Sequence, residues 1–117
     1  MIKQNNYDDF NKLKELFYHF SDKPISYFPI YAKVTGSVTA GILLSYLISL
    51  SKHNPEFCKT DKELCKETAL GLYELKAAKD KLKKFKFVDI KRKGIPAKTY
   101  YQVNFDNIID AYLKIRK

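Results

Sequence analysis

Apolar side chains recur every three or four residues in five stretches of the chain, which is the spacing of helices that turn one face towards a core. The first stretch runs from about Phe10 to Phe20, and Pro24 ends it. The aromatic segment Ile25–Ile30, which contains Pro29, is predicted to be extended rather than helical. A helix followed by an extended connection is therefore expected in the first quarter of the chain.

The second stretch is apolar on most of its circumference. Gly36 interrupts the chain before it, and Ser37 is the type of residue that caps a helix N-terminus. The helix is predicted to continue through Leu43 and Leu47 to about His53. Because a helix that is apolar all round needs burial on all sides, this one is expected to be the centre of the core.

Two helices separated by a tight turn are predicted next. Thr60 and Glu63 have the spacing of a capping box, in which each side chain accepts a hydrogen bond from the other residue's N–H, and they start a short helix. Ala69-Leu70-Gly71 makes the turn, and a longer helix spans about Leu72 to Phe85. The inner face of this longer helix is expected to carry Leu75, Ala78, Leu82 and Phe85, and the opposite face Lys76, Lys79 and Lys83.

The apolar period then changes to two, which is typical of strands. Phe87–Lys93 is predicted to be a strand, Gly94-Ile95-Pro96-Ala97 a turn, and Lys98–Phe105 an antiparallel return strand. The residues expected to point inwards are Val88, Ile90, Tyr101, Val103 and Phe105. Asp106 is predicted to cap a last helix that carries Ile108, Ile109, Tyr112 and Leu113.

Charge is distributed unevenly over these elements. The 117 residues include 22 Lys and Arg against 13 Asp and Glu, a net charge of +9. Ten basic and two acidic residues fall between Lys76 and Lys98, in the longer helix and the hairpin. So dense a positive segment attracts a polyanion such as nucleic acid. A lysine-rich surface that serves solubility is the alternative.

The order of short helix, tight turn, longer helix and basic hairpin predicts an α+β fold, namely a winged helix-turn-helix with an added N-terminal helix and a C-terminal helix. We expect one domain over residues 1–117, with the N-terminal helix in 1–23, the winged-helix core in 24–105 and the C-terminal helix in 106–117. In this fold the second helix of the pair enters the major groove of DNA.

The expected DNA contacts follow from that placement. Lys76, Lys79 and Lys83 form one stripe, because residues three and four apart share a helix face. The predicted DNA-binding residues are Tyr73, Lys76, Lys79, Lys83, Lys91, Arg92, Lys93, Lys98 and Tyr100. Because lysine acts as a point charge, this set favours contact with phosphates over reading of bases.

The chain from about Ser26 to Ile108 resembles the winged-helix domain of replication and regulatory DNA-binding proteins from phages, plasmids and other mobile elements of Gram-positive bacteria. The matching segments, which cover roughly two-thirds of the chain, are Tyr27–Ala32, Ala40–Leu47, Lys59–Leu64, Glu67–Leu75, Lys81–Val88 and Gly94–Phe105. Two positions depart from the pattern: Gly71 stands where such domains usually have a capping Ser, and Lys86 where they usually have Gly. The resemblance implies a DNA-binding role in replication or its control, with replication proteins as further partners.

The sequence offers no catalytic or metal-binding constellation. Cys58 and Cys65 match no metal motif and are expected to be reduced, buried, small hydrophobic residues. Asp61, Glu63 and Glu67 are explained better by capping and solvation than as paired catalytic carboxylates. We therefore expect a non-enzymatic protein with no metal and no cofactor. Because there is no signal peptide and no apolar run of membrane length, we expect a cytoplasmic protein with no membrane contact.

Other functions and partners stay open from the sequence. Exposed rings among lysines stack on the bases of single strands, so single-stranded DNA competes with duplex DNA, which is favoured by a small margin. The aromatic residues that are hard to bury are Tyr27, Phe28, Tyr31, Tyr73 and Tyr100. Three of them, Tyr27, Phe28 and Tyr31, could instead pack the first helix onto the domain. Exposed aromatic residues could also dock on a replication or defence protein without DNA binding. The first helix, the last helix or both are candidates for pairing in a homodimer.

Overall fold

The computed structural model describes residues 7–20 and 23–116, so parts of the predicted N- and C-terminal helices (1–6, 21, 22 and 117) lie outside the description. The described elements are α1 (Tyr7–Phe20), α2 (Pro29–Thr35), α3 (Val38–Ser51), β1 (Glu56–Cys58), α4 (Asp61–Thr68), α5 (Leu72–Lys84), β2 (Val88–Lys93), β3 (Lys98–Val103) and α6 (Phe105–Arg116). Helices and one three-stranded antiparallel sheet make the fold α+β. Within the described residues, no helix combines the length and the apolar composition needed to cross a membrane.

The helix α3 is the centre of the core, as its apolar circumference predicts. Leu43, Leu44 and Leu47 are fully buried, and the helix packs against α2, α5 and β3. Its N-terminus is capped by Ser37, whose hydroxyl accepts a hydrogen bond from the Ala40 N–H at 3.3 Å. The elements that surround α3 are therefore oriented by the faces they bury against it.

The helix α2 begins at Pro29 and therefore includes the last two residues of the predicted extended segment; the prediction holds for residues 25–28, which are not helical, and is wrong for Pro29 and Ile30. Phe28 is extended, as is usual for the residue before a proline. Pro29, however, is the first residue of the helix, where its fixed φ and missing N–H cost nothing. The Phe28 N–H donates to the buried Ser45 hydroxyl at 3.1 Å and so anchors the start of α2 to α3. The proline begins a helix instead of excluding one.

The helices α4 and α5 form a pair joined by a tight turn, as predicted. The capping box is present, because Thr60 Oγ1 accepts from the Glu63 N–H and Glu63 Oε1 accepts from the Thr60 N–H, both at 3.0 Å. Ala69 follows α4 in a left-handed conformation with φ 64°. At the start of α5, Gly71 has no side chain to offer, and the Glu74 carboxylate accepts the Gly71 N–H at 2.9 Å instead.

The sheet has the order β1-β3-β2 with both pairs antiparallel. The β2–β3 register pairs Val88 with Val103, Ile90 with Tyr101, Lys91 with Tyr100, Arg92 with Thr99 and Lys93 with Lys98. Side chains alternate between the two faces of a sheet. Arg92 therefore lies on the inner face with the buried Val88, whereas Lys91 and Lys93 lie on the opposite, outer face.

The hairpin ends earlier than predicted. The strand β3 stops at Val103, and Phe105 is the first residue of α6 and about half exposed, not the inward end of a strand. Asn104, and not Asp106, caps this helix, because its Oδ1 accepts a hydrogen bond from the Asn107 N–H at 3.3 Å. The prediction was wrong because two capping residues stand two positions apart and the alternating pattern continues past the true end of the strand.

Two predicted burials, those of Cys58 and Phe85, are also wrong, and a third holds in part because Cys65 is half-buried and packs against the core. Cys58 is exposed and Cys65 is partly buried. Cys58 ends β1, an edge strand that pairs on one side alone, with β3. Phe85 follows α5 and is exposed, although its ring stacks on that of the buried Phe87 with centroids 5.4 Å apart. Local sequence patterns do not predict how exposed these side chains are, because the elements that cover a side chain can be distant from it in the chain.

The contact between α2 and α3 predicts the effect of one substitution. A Cβ at Gly41 would lie 2.6 Å from the backbone nitrogen of Ala32, which cannot move aside like a side chain. At an open helical position, Gly→Ala stabilises by up to about 1 kcal/mol. We expect Gly41→Ala instead to lower the free energy of unfolding by about 1–3 kcal/mol, measured by urea denaturation with circular dichroism. A stabilised variant would contradict the close approach.

Lys86 has φ 60°, the left-handed conformation that favours glycine. Lys86→Gly should raise the free energy of unfolding by about 0.5–1 kcal/mol, because glycine adopts this conformation without strain. The control is Lys84→Gly, in the last turn of α5, which should lower it by up to about 1 kcal/mol. Equal losses in the two variants, measured by urea denaturation, would contradict this account.

Candidate nucleic-acid interface

The helix α5, the start of α4 and the β2–β3 hairpin enclose a cleft of about 770 Å³, which we call the basic cleft. Its basic lining residues are Lys59, Lys76, Lys79, Lys83, Arg92 and Lys98, and its acidic ones are Asp61, Glu63 and Asp80. The lining thus carries twice as many positive as negative side chains. Five of the nine residues predicted to bind DNA meet in this cleft.

The orientation of α5 explains why its lysines face the cleft. Leu75, Ala78 and Leu82 bury one side of the helix in the core. Lys76 and Lys83 lie seven residues apart, which is two helical turns, so they share a face and are separated by about 10 Å along the axis. Both lysines line the cleft, as does Asp80, which lies between them in the sequence.

The hairpin contributes Arg92 and Lys98. The guanidinium of Arg92 donates from Nη1 to Thr99 Oγ1 at 3.1 Å and from Nη2 to the Ala97 carbonyl at 3.3 Å. Thr99 is the cross-strand partner of Arg92 in the register, so the two side chains meet on one face of the hairpin. These bonds hold the Arg92 cation opposite the lysines of α5.

Lys79 differs from Lys76 and Lys83 because its ammonium group is paired with a carboxylate of the protein. Its ammonium makes an ion pair with Asp61 and lies over the ring of Tyr101, 5.2 Å from the centroid. Burial lowers the pKa of Lys79 and the Asp61 carboxylate raises it, and the result is a pKa above the ordinary value. Lys79 therefore joins α4, α5 and β3 at the floor of the cleft.

Tyr101 is the buried residue beneath Lys79. Its side chain is fully buried, and its hydroxyl makes no hydrogen bond with any described residue. Burial raises the pKa of Tyr101 although the nearby Lys79 ammonium lowers it, so the phenol stays neutral. The ring stacks on Phe57 of β1 with centroids 6.0 Å apart. This packing fixes the position of the hairpin relative to α5.

Lys91, Lys93 and Tyr100 lie on the outer face of the hairpin and do not line the cleft. The Lys93 ammonium bonds Glu56 at 2.7 Å and lies over the Tyr100 ring, 4.8 Å from its centroid. One face of this ring is therefore covered and is a poorer platform for a base than the sequence suggests. Alternation places Arg92 on the opposite face of β2 from Lys91 and Lys93, so these three residues of the predicted set do not share one face.

Tyr73 is the last member of the predicted set. It is the second residue of α5 and 87% exposed, and it does not line the cleft. The exposed, uncovered ring distinguishes Tyr73 from Tyr100. The structure thus divides the predicted residues into a cleft group, an outer-face group and Tyr73 alone.

The carboxylates near the cleft have structural partners. Hydrogen bonds from Thr60 lower the pKa of Glu63. Burial raises the pKa of Glu67, but hydrogen bonds from Tyr46 and Lys59 outweigh it and lower the value; the Lys59 ammonium lies 2.9 Å from Glu67 Oε1. Within residues 7–20 and 23–116, no group of three or more His, Cys, Asp or Glu is placed to hold a metal ion.

Sequence patterns did not identify the acidic residues that pair with Lys79 and Lys93 and so make these two lysines less available to a ligand. Asp61 pairs with Lys79 and Glu56 pairs with Lys93 across 18 and 37 residues of sequence, respectively. No local signal identifies such pairs. The Arg92–Thr99 bond, in contrast, follows from the four-residue turn once the hairpin register is written out.

No family model, no curated protein and no solved structure matches this chain.

The different roles of Lys79 and Lys76 predict different effects on stability. Lys79→Met keeps the apolar stem but leaves Asp61 without its cation, so we expect the free energy of unfolding to fall by about 1–2 kcal/mol. Lys76→Met removes an exposed charge and should change it by less than about 0.5 kcal/mol. Urea denaturation of both variants measures the difference. Equal effects would contradict the structural role of Lys79.

Proposed function

We propose that this chain is a winged helix-turn-helix protein that binds DNA without catalysing a reaction, and that the basic cleft holds the phosphates of a duplex. One observation carries the proposal. The cleft brings together four cations from α5 and the β2–β3 hairpin, and none of them makes an ion pair with a residue that the structure describes. These four cations are Lys76, Lys83, Arg92 and Lys98.

The order of elements supports the fold part of the proposal. The chain runs through α3, β1, α4, α5 and the β2–β3 hairpin, which is the order of a winged helix. In this interpretation α4 and α5 are the helix-turn-helix, α5 is the recognition helix in the major groove, and the hairpin is the wing that contacts an adjacent backbone. The basic cleft is then the space between the recognition helix and the wing.

The chemistry of the four cations supports phosphate as the ligand. Lysine ammonium groups act as point charges, and the guanidinium of Arg92 offers a planar fork that suits a phosphate. Their release of counterions from the duplex would supply most of the affinity and make it depend on salt. Asp61 makes an ion pair with Lys79, Glu63 belongs to the capping box, and Glu67 makes an ion pair with Lys59. These structural roles of the three carboxylates support a non-enzymatic function.

The biological setting of the proposal comes from the resemblance of residues 26–108 to winged-helix domains of mobile elements. We propose a role in replication or its control in such an element. Replication proteins are the further partners that this setting implies.

Fluorescence anisotropy with a mixed-sequence duplex, titrated over a range of salt concentrations, tests the proposal. Lys76→Ala and Lys83→Ala should each weaken binding and make the slope of log affinity against log salt less negative by about one unit. Asp80→Asn removes a negative charge from the same face of α5 and should strengthen binding.

Lys91→Ala is the matched control for these substitutions, because it removes the same charge from the outer face of the hairpin. The cleft proposal expects a smaller loss of affinity for Lys91→Ala than for Lys76→Ala. Equal losses would mean that charge alone attracts the duplex. Absence of duplex binding near physiological salt would overturn the proposal and favour a protein-docking function.

Cys58 provides a second readout because it is exposed and lines the cleft. A duplex in the cleft should slow the reaction of Cys58 with a maleimide. Cys65 does not line the cleft, so its reaction rate is the internal control. Equal protection of both thiols, or of neither at saturating duplex, would argue against binding in the cleft.

Single-stranded DNA is the second candidate ligand, and the exposure of Tyr73 favours it. A ring that is 87% exposed at the start of α5 can stack on an unpaired base, an interaction worth about 1–3 kcal/mol. The same anisotropy assay with single strands separates the two ligands. Tighter binding of single strands that is lost in Tyr73→Ala, but kept in Tyr100→Ala, would establish this alternative.

A further inference from the structure

The exposed apolar side chains concentrate away from the basic cleft. Of seventeen large apolar side chains exposed in the described residues, twelve lie in α1, in α6 or in the segment that leads to α2. Single exposed apolar residues are ordinary, whereas a concentration on helix faces marks an interaction surface. We infer that a second copy of this chain covers the exposed apolar faces of α1 and α6, so that the protein is a homodimer.

One part of the apolar surface of α6 packs against the core of its own chain. Ile108 is buried, and Ala111 packs against the core beside it. A second apolar face, with side chains 39–53% exposed, is formed by Phe105, Ile109, Tyr112 and Leu113. The Asn107 side chain donates to the Lys86 carbonyl at 2.8 Å and holds the helix in this rotation. The second face therefore stays outward.

The helix α1 presents a similar stripe. Phe10, Leu13 and Leu16 follow helical spacing and are 44–51% exposed. A 14-residue helix is marginal in water without tertiary packing, so a stable α1 needs cover for this stripe. The radius of gyration is 18.1 Å, whereas a compact chain of this length would have about 13 Å. Peripheral elements thus extend from the core.

Charge favours a second copy over a polyanion or an anionic membrane as the occupant. The helix α1 carries three acidic and two basic side chains, and α6 carries two of each. The segment 76–98, by contrast, has ten basic and two acidic residues. Two chains of charge +9 repel each other least where neither is positive. A helix that binds anionic lipid headgroups needs a polar face rich in Lys and Arg, which α1 and α6 lack.

The area is sufficient for such a dimer. The seven side chains of the two stripes are each about half exposed and together offer about 600 Å² per copy. A symmetric pair would bury about 1,200 Å², which reaches the range of specific interfaces. A twofold axis uses the same surface on both copies, so no apolar stripe is left over for further association.

Analytical ultracentrifugation without DNA tests the inference. At micromolar concentrations the wild-type chain should sediment with twice the 13.7 kDa mass of a single chain. The α1 variant, Leu13→Lys with Leu16→Lys, and the α6 variant, Ile109→Lys with Leu113→Lys, should both sediment as monomers. All four positions are exposed, so the monomer should stay folded, which thermal melting by circular dichroism verifies.

Ile95→Lys is the matched control, because it places the same charge on a fully exposed apolar residue of the hairpin turn. This variant should remain a dimer. A monomeric wild-type chain would overturn the inference. The apolar faces would then be covered within one chain, by α1 folding back onto its own α6, or by lipid, which binding to phosphatidylglycerol vesicles would reveal. Retention of the dimer in both double variants would also overturn it.

The measured oligomeric state and the measured DNA binding test the two proposals separately. A dimer that binds no DNA would support this inference and overturn the DNA-binding proposal, and a DNA-binding monomer would do the reverse.

Discussion

The rotation of α5 about its own axis is the constraint on which the candidate site depends. Leu75, Ala78 and Leu82 bury one side of this helix, and a closely packed core leaves it no freedom to turn. The lysines on the other side consequently face the hairpin. The hairpin is held in turn by Tyr101, which is buried between Phe57 and the ammonium of Lys79. Core packing thus sets the distance between the two sources of positive charge.

Ion pairs then decide which cations remain available. Asp61 holds Lys79 at the floor of the cleft, and Glu56 holds Lys93 on the outer face of the hairpin. An exposed pair contributes little to stability, but it directs where a long side chain lies. The basic cleft and the apolar stripes of α1 and α6 are separate surfaces.

Local patterns predicted the parts of the fold that depend on neighbours in sequence. The Ser37 cap, the Thr60–Glu63 box and the Leu75, Ala78 and Leu82 positions of the inner face of α5 each require residues within a few positions, and all three are confirmed. The failures have a different origin. Pro29 is compatible with both an extended segment and a helix start, and the hydrogen bond from the preceding Phe28 N–H to Ser45 of α3 favours the helix start. Cysteine is a residue type that is usually buried, but Cys58 lies on an edge strand and is exposed.

Sequence patterns were enough to predict the concentration of charge in residues 76–98, the helical face shared by Lys76, Lys79 and Lys83, and the α+β succession of elements. These properties follow from composition and from the periods of helix and strand, which are local. The packing of the folded chain, in contrast, brings Arg92 to the cleft with Lys76 and Lys83 and leaves Lys91 and Lys93 outside it. It also decided that Lys79 serves the fold. The first outcome depends on which face of the hairpin packs towards α5, and the second on Asp61, which folding brings to Lys79 across 18 residues of sequence. Local patterns encode neither.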